Sequence, residues 1–161
     1  MARSGACRAA IDIHAFDVFL ADKLQRPRDD LAMFDDPHER LATIVDRAKR
    51  TPPLPAAERV DANRVHGCVS VVWLIGETRN DRCYFRSDAE SPIVRGLVAF
   101  LCDFFNEAPV AEVAASDLEP LEALDVIGNL SPTRRNGLAA ARRAIRAYAQ
   151  ASLQSKQGRS G

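Results

Sequence analysis

No stretch of this sequence approaches the roughly 18 consecutive apolar residues from which a membrane-crossing helix is read. Neither sign of charge is in excess: 22 Lys and Arg stand against 22 Asp and Glu. That balance removes any global electrostatic case for a nucleic acid or an anionic membrane as partner. Cysteine is scarce, and Cys7, Cys68, Cys83 and Cys102 form no C-x-x-C pair of the kind that opens zinc or thiol-redox sites. The N-terminal "MARSGACRAAIDIHAF" has no secretory apolar core, because Arg8, Asp12 and His14 interrupt it. A cytoplasmic location with reduced thiols is therefore the expectation.

What is present is an ordinary globular composition, 47% hydrophobic and 27% charged over 161 residues. A chain of this length is expected to form one domain and to bury enough surface to need neither disulfide nor metal. Charge is nonetheless segregated. From Asp103 to Asp125 every charged residue is acidic, and from Ser131 to the C-terminus every one is basic. Two solvated helix faces that lie side by side and attract each other account for this, and so does a polarised docking surface.

The pattern predicts a helix in "DDPHERLATIVDRAKR", with Asp36 as cap and Pro37 at the first position. "TPPLPAAE" ends it. "CVSVVWLIGE" and "CYFRSD" read as the strands of a hairpin, joined by "TRNDR", a loop longer than the two-residue ideal. "SPIVRGLVAFLCDFF" reads as a helix that fills the core. After two short helical pieces, "SPTRRNGLAAARRAIRAYAQASL" is a helix with Leu138, Ala141, Ile145 and Tyr148 inward and Arg142, Arg143 and Arg146 outward. The expected fold is α+β: a compact single domain with a small antiparallel β-sheet packed by helices on one face. Its expected boundaries are a variable N-terminal extension over 1–34, containing a possible short helix at "HAFDVFLADKL", a domain over 35–153 and a disordered tail over 154–161.

The residue that stands out is Cys68, at the entrance to the first strand. Free cysteine is commonly core, but Gly67 before it suits a tight loop, and Asn63, Arg64 and His66 put polar and cationic groups around it. In an extended segment His66 and Cys68 would point to one face. A thiol there with cations nearby suits thiolate chemistry. A Cys-His hydrolase would need an orienting group and an oxyanion loop, and neither is visible. A zinc or iron–sulfur scaffold using Cys68, Cys83, Cys102 and His66 has the donor types but no recognised spacing.

Three blocks taken together, "NRVHGCVSVVWL", "FRSDAESPIVRGLVAFL" and "LSPTRRNGLAAARRAIRAYA", resemble the SufE family of sulfur-acceptor proteins, with "LATIVDRAKRTPPLP" fitting upstream. The likeness spans roughly residues 35 to 150. It implies that Cys68 takes persulfide sulfur from a cysteine desulfurase, stimulates that enzyme, and passes sulfur on to a downstream iron–sulfur scaffold. It also implies that the chain needs no cofactor or metal of its own, the desulfurase carrying the pyridoxal phosphate. On this view Asn63, Arg64, His66 and Gly67 support the loop, and the protein is a carrier, a monomer or weak homodimer, without nucleic-acid or membrane partners. The chain departs from the family's G-C-Q-S-Q-V-W pattern at Val69 and Val71, where glutamines are usual. Arg134, a cation in the first turn of the last helix where the dipole disfavours it, is a docking candidate together with Glu90 and Arg95. Gly137, costing about 1 kcal/mol against alanine within a helix, implies close backbone packing.

Overall fold

The computed structural model describes residues 18–160. In chain order it has α1 (Val18–Leu31), α2 (Pro37–Ala48), a 3-10 turn (Asp61–Asn63), β1 (Val72–Arg79), β2 (Arg82–Ala89), α3 (Pro92–Phe105), α4 (Val110–Ala115), α5 (Pro120–Ala123) and α6 (Pro132–Gln157). This is the expected α+β domain, with a two-stranded antiparallel sheet packed against helices.

The helix starts follow from local chemistry. The Asp36 carboxylate accepts from the His38 N–H at 2.9 Å, and Pro37 occupies a first-turn position whose N–H has no helical partner. Ser131 does the same for α6, its hydroxyl accepting from the Arg134 N–H at 3.4 Å. Helix α3 is the central member. Val94, Leu97, Val98, Leu101, Phe104 and Phe105 are all buried, and it packs on β2, α2 and α6. At its crossing with α2, Gly96 allows contact so close that a Cβ there would lie 2.9 Å from the Val45 Cα.

The hairpin differs from expectation at its turn. Strand pairing runs to Arg79↔Arg82, leaving Asn80 and Asp81 alone at φ +50° and +62°. Two left-handed residues in a two-residue loop follow the right-handed twist of the strands, so "TRNDR" is mostly strand. The outer edge of β2 is covered by the chain that leaves α3: Asn106 Oδ1 accepts from the Phe85 N–H at 2.6 Å, Cys83 N–H donates to Ala108 O, and Glu107 N–H donates to Cys83 O. Those bonds satisfy an edge that would otherwise be open to pairing.

Three further expectations are corrected. Residues 18–31, expected within a variable extension, form a helix over the described part of "HAFDVFLADKL" and beyond it, and this helix belongs to the core: Leu20, Leu24 and Leu31 of α1 are buried, and the Lys23 ammonium donates to Asp103 O and Asn106 O at the end of α3. The N-terminal part of the expected extension lies outside the described residues. Helix α6 runs on to Gln157 with Gly158 as its cap, so residues 154–157 continue the helix past the expected boundary at 153. Arg142 does not face away but is buried, because Ser116 O and Leu118 O accept from its guanidinium and the Phe105 ring lies beneath it at 4.5 Å. Its neighbour Arg146 pairs with Asp117 at 2.7 Å, so the acidic and basic runs do lie side by side.

Candidate functional site

Cys68 stands on a loop that closes where Val65 N–H donates to Val72 O at 2.8 Å, with Arg64 bridged to Trp73. This bond fixes the loop to the start of β1, so residues 68–71 are loop and not the strand their apolar pattern predicts. Gly67 turns the chain with φ +89°, a conformation that an L side chain rarely adopts. That turn breaks the extended alternation on which a shared face for His66 and Cys68 would depend. His66 is exposed, whereas Cys68 is half-buried and packs against the core.

The Cys68 thiol donates inward, to Ser70 O at 3.1 Å and more weakly to Val65 O at 3.7 Å. Both acceptors belong to its own loop, so the sulfur is held by the local backbone alone. The loop in turn rests on α6, where a Cβ at Gly137 would come within 3.3 Å of the Ser70 Cβ. The close packing expected at Gly137 is thus a contact with this loop. Arg134 lies one turn earlier on the same helix face. Val69, beside Cys68, is 85% exposed, the most exposed large apolar side chain among the described residues.

The other candidates separate. Asn63 holds the loop's approach, donating from Nδ2 to Glu58 O at 2.8 Å, and Arg64 N–H donates to Asp61 O. Glu90 is exposed and its N–H donates to Val71 O, next to the end of the loop. Arg95 is committed elsewhere: it pairs at 3.3 Å with Asp88, a buried carboxylate that also accepts from Leu54 N–H and Ala89 N–H. Asp88 thereby anchors the proline-rich connection to the sheet, and the Arg95 charge is shared with it. Ser70, whose carbonyl accepts from the Cys68 thiol and whose side chain lies against Gly137, was missed by sequence reasoning. The glycine opposite it at position 137 was the available signal.

The donor set for a scaffold does not assemble. Cys83 and Cys102 are buried, and burial pushes their thiols up to about 11 and about 12. Among the described residues no group of three His, Cys, Asp or Glu side chains is placed to hold a metal ion. A single half-buried thiol on a glycine-turned loop, apart from the other described cysteines, is what the site offers.

The family model described as "SufE: Fe-S metabolism associated domain" matches residues 25–149. The chain belongs to the SufE family. Among curated relatives, an uncharacterised SufE-like protein of Rhizobium etli is 35% identical over 127 residues, covering 76% of this chain and 86% of the relative. A second, from Rhizobium meliloti, is 32% identical over 135 residues, covering 78% and 93%. The chloroplastic quinolinate synthase of Arabidopsis thaliana is 31% identical over 105 residues, which is 65% of this chain but 15% of that protein. A hypothetical protein of Thermus thermophilus, solved in solution, shares the fold at TM-score 0.62 and 19% identity, covering 84% of this chain and 96% of that one. This SufE-family chain thus carries Cys68 in the loop between the 3-10 turn and β1. No described helix is long and apolar enough to cross a membrane.

Proposed function

We propose that this protein is a sulfur acceptor: Cys68 receives sulfane sulfur from the persulfide of a cysteine desulfurase and passes it on for iron–sulfur cluster assembly. The observation that carries the reading is the solitary, half-buried thiol whose two hydrogen bonds go only to its own loop. Such a thiol is sheltered from oxidants, which act on accessible thiolates, yet it is freed by movement of a few residues. Membership of an iron–sulfur metabolism family supports the same reading.

The exchange balances without an external redox agent. Cys68 loses its proton, and its thiolate attacks the outer sulfur of the partner's persulfide. A new S–S bond forms on Cys68 as the partner's S–S bond breaks, and the partner's sulfur leaves as a thiolate that recovers a proton. The pyridoxal phosphate that generates the partner's persulfide belongs to the desulfurase. Asn63 and Gly67 shape the loop, and Arg64 and His66 border it. Delivery to a scaffold repeats the exchange in the other direction.

The test is intact-mass analysis after incubation with a purified cysteine desulfurase and cysteine. Wild type is expected to gain the mass of sulfur, and Cys68→Ser to gain none while Cys83→Ala and Cys102→Ala still do. An adduct that survives Cys68→Ser refutes the assignment.

A further inference from the structure

Beside the cysteine loop runs a groove of about 370 Å³, walled by residues 62–66 on one side and by α6 on the other, with Leu74, Gly76 and Tyr148 along its floor. Its lining holds no carboxylate; its cationic or protonatable nitrogen groups are Arg64, His66 and Arg143. Arg64 and Arg143 have no ion-pair partner among the described residues, in contrast to Arg142 and Arg146, which are spent on Glu119 and Asp117. The basic run of α6 is therefore two-sided: one side is neutralised inside the domain, and the other stays positive along the groove that residues 62–66 wall.

The groove also borders an open sheet edge. Val72 turns its carbonyl away from β2 to meet Val65 N–H. Because backbone groups alternate along an antiparallel strand, Leu74 and Gly76 also turn theirs outward. Ahead of Arg64 the chain leaves for the 3-10 turn, so nothing described pairs with this edge beyond Trp73. On the helix side, Ala144 and Ala147 keep the wall low and apolar.

We propose that this groove is where the desulfurase docks, through an extended acidic segment that lies along the β1 edge with carboxylates toward Arg64 and Arg143 and an apolar side chain against Ala144. The proposal rests on the sulfur-acceptor reading and names the surface it uses. Strand addition supplies main-chain hydrogen bonds, and the unpaired cations supply steering and register. Val65 forms part of the groove wall and its carbonyl also accepts from Cys68. Filling the groove therefore acts on the segment that holds the thiol inward.

The experiment measures desulfurase binding by titration calorimetry over a series of NaCl concentrations, for wild type, Arg143→Glu, Arg143→Lys and Ala144→Leu, each first shown by thermal unfolding to be folded. Arg143→Glu is expected to weaken binding about tenfold and to flatten its salt dependence, while Arg143→Lys keeps most of both. Ala144→Leu, by filling the groove, is expected to weaken binding about threefold or more without changing the salt slope. Wild-type affinity in both Arg143→Glu and Ala144→Leu overturns the proposal. So does wild-type desulfurase binding with failed delivery to a downstream acceptor, which would give the groove to that acceptor. Failure of wild type to take sulfur onto Cys68 from the desulfurase refutes the acceptor reading itself and this proposal with it. Loading of Arg143→Glu by a low-molecular-weight persulfide separates a docking defect from a defect in the thiol.

Discussion

Replacing Gly137 by alanine should separate stability from thiol shelter. The new Cβ would stand 3.3 Å from the Ser70 Cβ and 3.4 Å from its Oγ, close enough that Ser70 must give by a few tenths of an ångström. Ser70 is on a loop and can yield, whereas alanine gains about 1 kcal/mol over glycine inside a helix. Set against the loop hydrogen bond that the same shift disturbs, stability should stay within about 0.5 kcal/mol of wild type, a change in Tm of at most about 2 °C for a chain of this size. The same displacement disturbs the Ser70 carbonyl that accepts the Cys68 thiol at 3.1 Å. A hydrogen bond with a net worth of about 0.5–1.5 kcal/mol, once lost, raises the population of the open loop about two- to twelvefold. The assay is the rate of Cys68 alkylation by iodoacetamide, followed by intact mass at fixed pH, beside a thermal melt of the same samples. Faster alkylation at a Tm within about 2 °C of wild type is expected. A rate at or below that of wild type would refute the reasoning that α6 holds the loop through Ser70, and a fall in Tm of more than about 4 °C would refute the weighing of helix propensity against contact.

Gly96→Ala should move the other way in a urea melt. The clash is with the Val45 backbone at 2.9 Å, so α2 and α3 must part, and an overpacking cost of about 1–3 kcal/mol outweighs the propensity gain. A midpoint no lower than wild type would show that the helices part without loss. The buried thiols predict an alkaline limb of stability. Cys83 and Cys102 are raised from 9.0 to about 11 and about 12 by burial, so the folded state holds their protons more tightly than the unfolded state. The stability they contribute is complete below the unfolded value near 9 and is lost as pH rises through the folded values. Tm should fall between pH 9 and 11 more gently in Cys102→Ala than in wild type, and parallel profiles would count against this source of the slope.

The elements most legible in the sequence were those with their own start signals. Asp36-Pro37, Ser91-Pro92 and Ser131-Pro132 each open a helix where expected, because first-turn prolines and, at Asp36 and Ser131, side-chain caps act within a few residues. What failed was tertiary. Residues 68–71 look like strand, but the bond from Val65 to Val72 closes them into a loop. Conversely, Thr78 and Arg79 look like turn, yet cross-strand partners and the Tyr84 ring, 4.0 Å from the Arg79 guanidinium, keep them in β1. Arg142 lies four residues after Leu138 on the same helical side, and only its carbonyl acceptors, 24 and 26 residues away in sequence, make burial possible. The first half of α1 was legible at "HAFDVFLADKL", but Pro27 hid its continuation to Leu31, and the packing of that helix on α3 is tertiary. At the site, the position of Cys68 and the role of Gly67 were readable from adjacent residue types. Its support by Ser70 and Gly137, distant in sequence, was not.

The lysine on α1 has a consequence for how the domain can be cut and moved. Lys23 is desolvated between Asp103 and the end of α3, and its ammonium serves two of the last carbonyls of that helix. The chain just beyond those carbonyls, Asn106 and Glu107, is what covers the edge of β2. A segment at the front of the chain therefore braces the junction between the central helix and the sheet, far in sequence from Cys68. An excision beginning at residue 35 would keep every residue of the cysteine loop and remove this brace. A fusion or a graft onto another protein must therefore carry α1 as well as the blocks of sequence that look familiar.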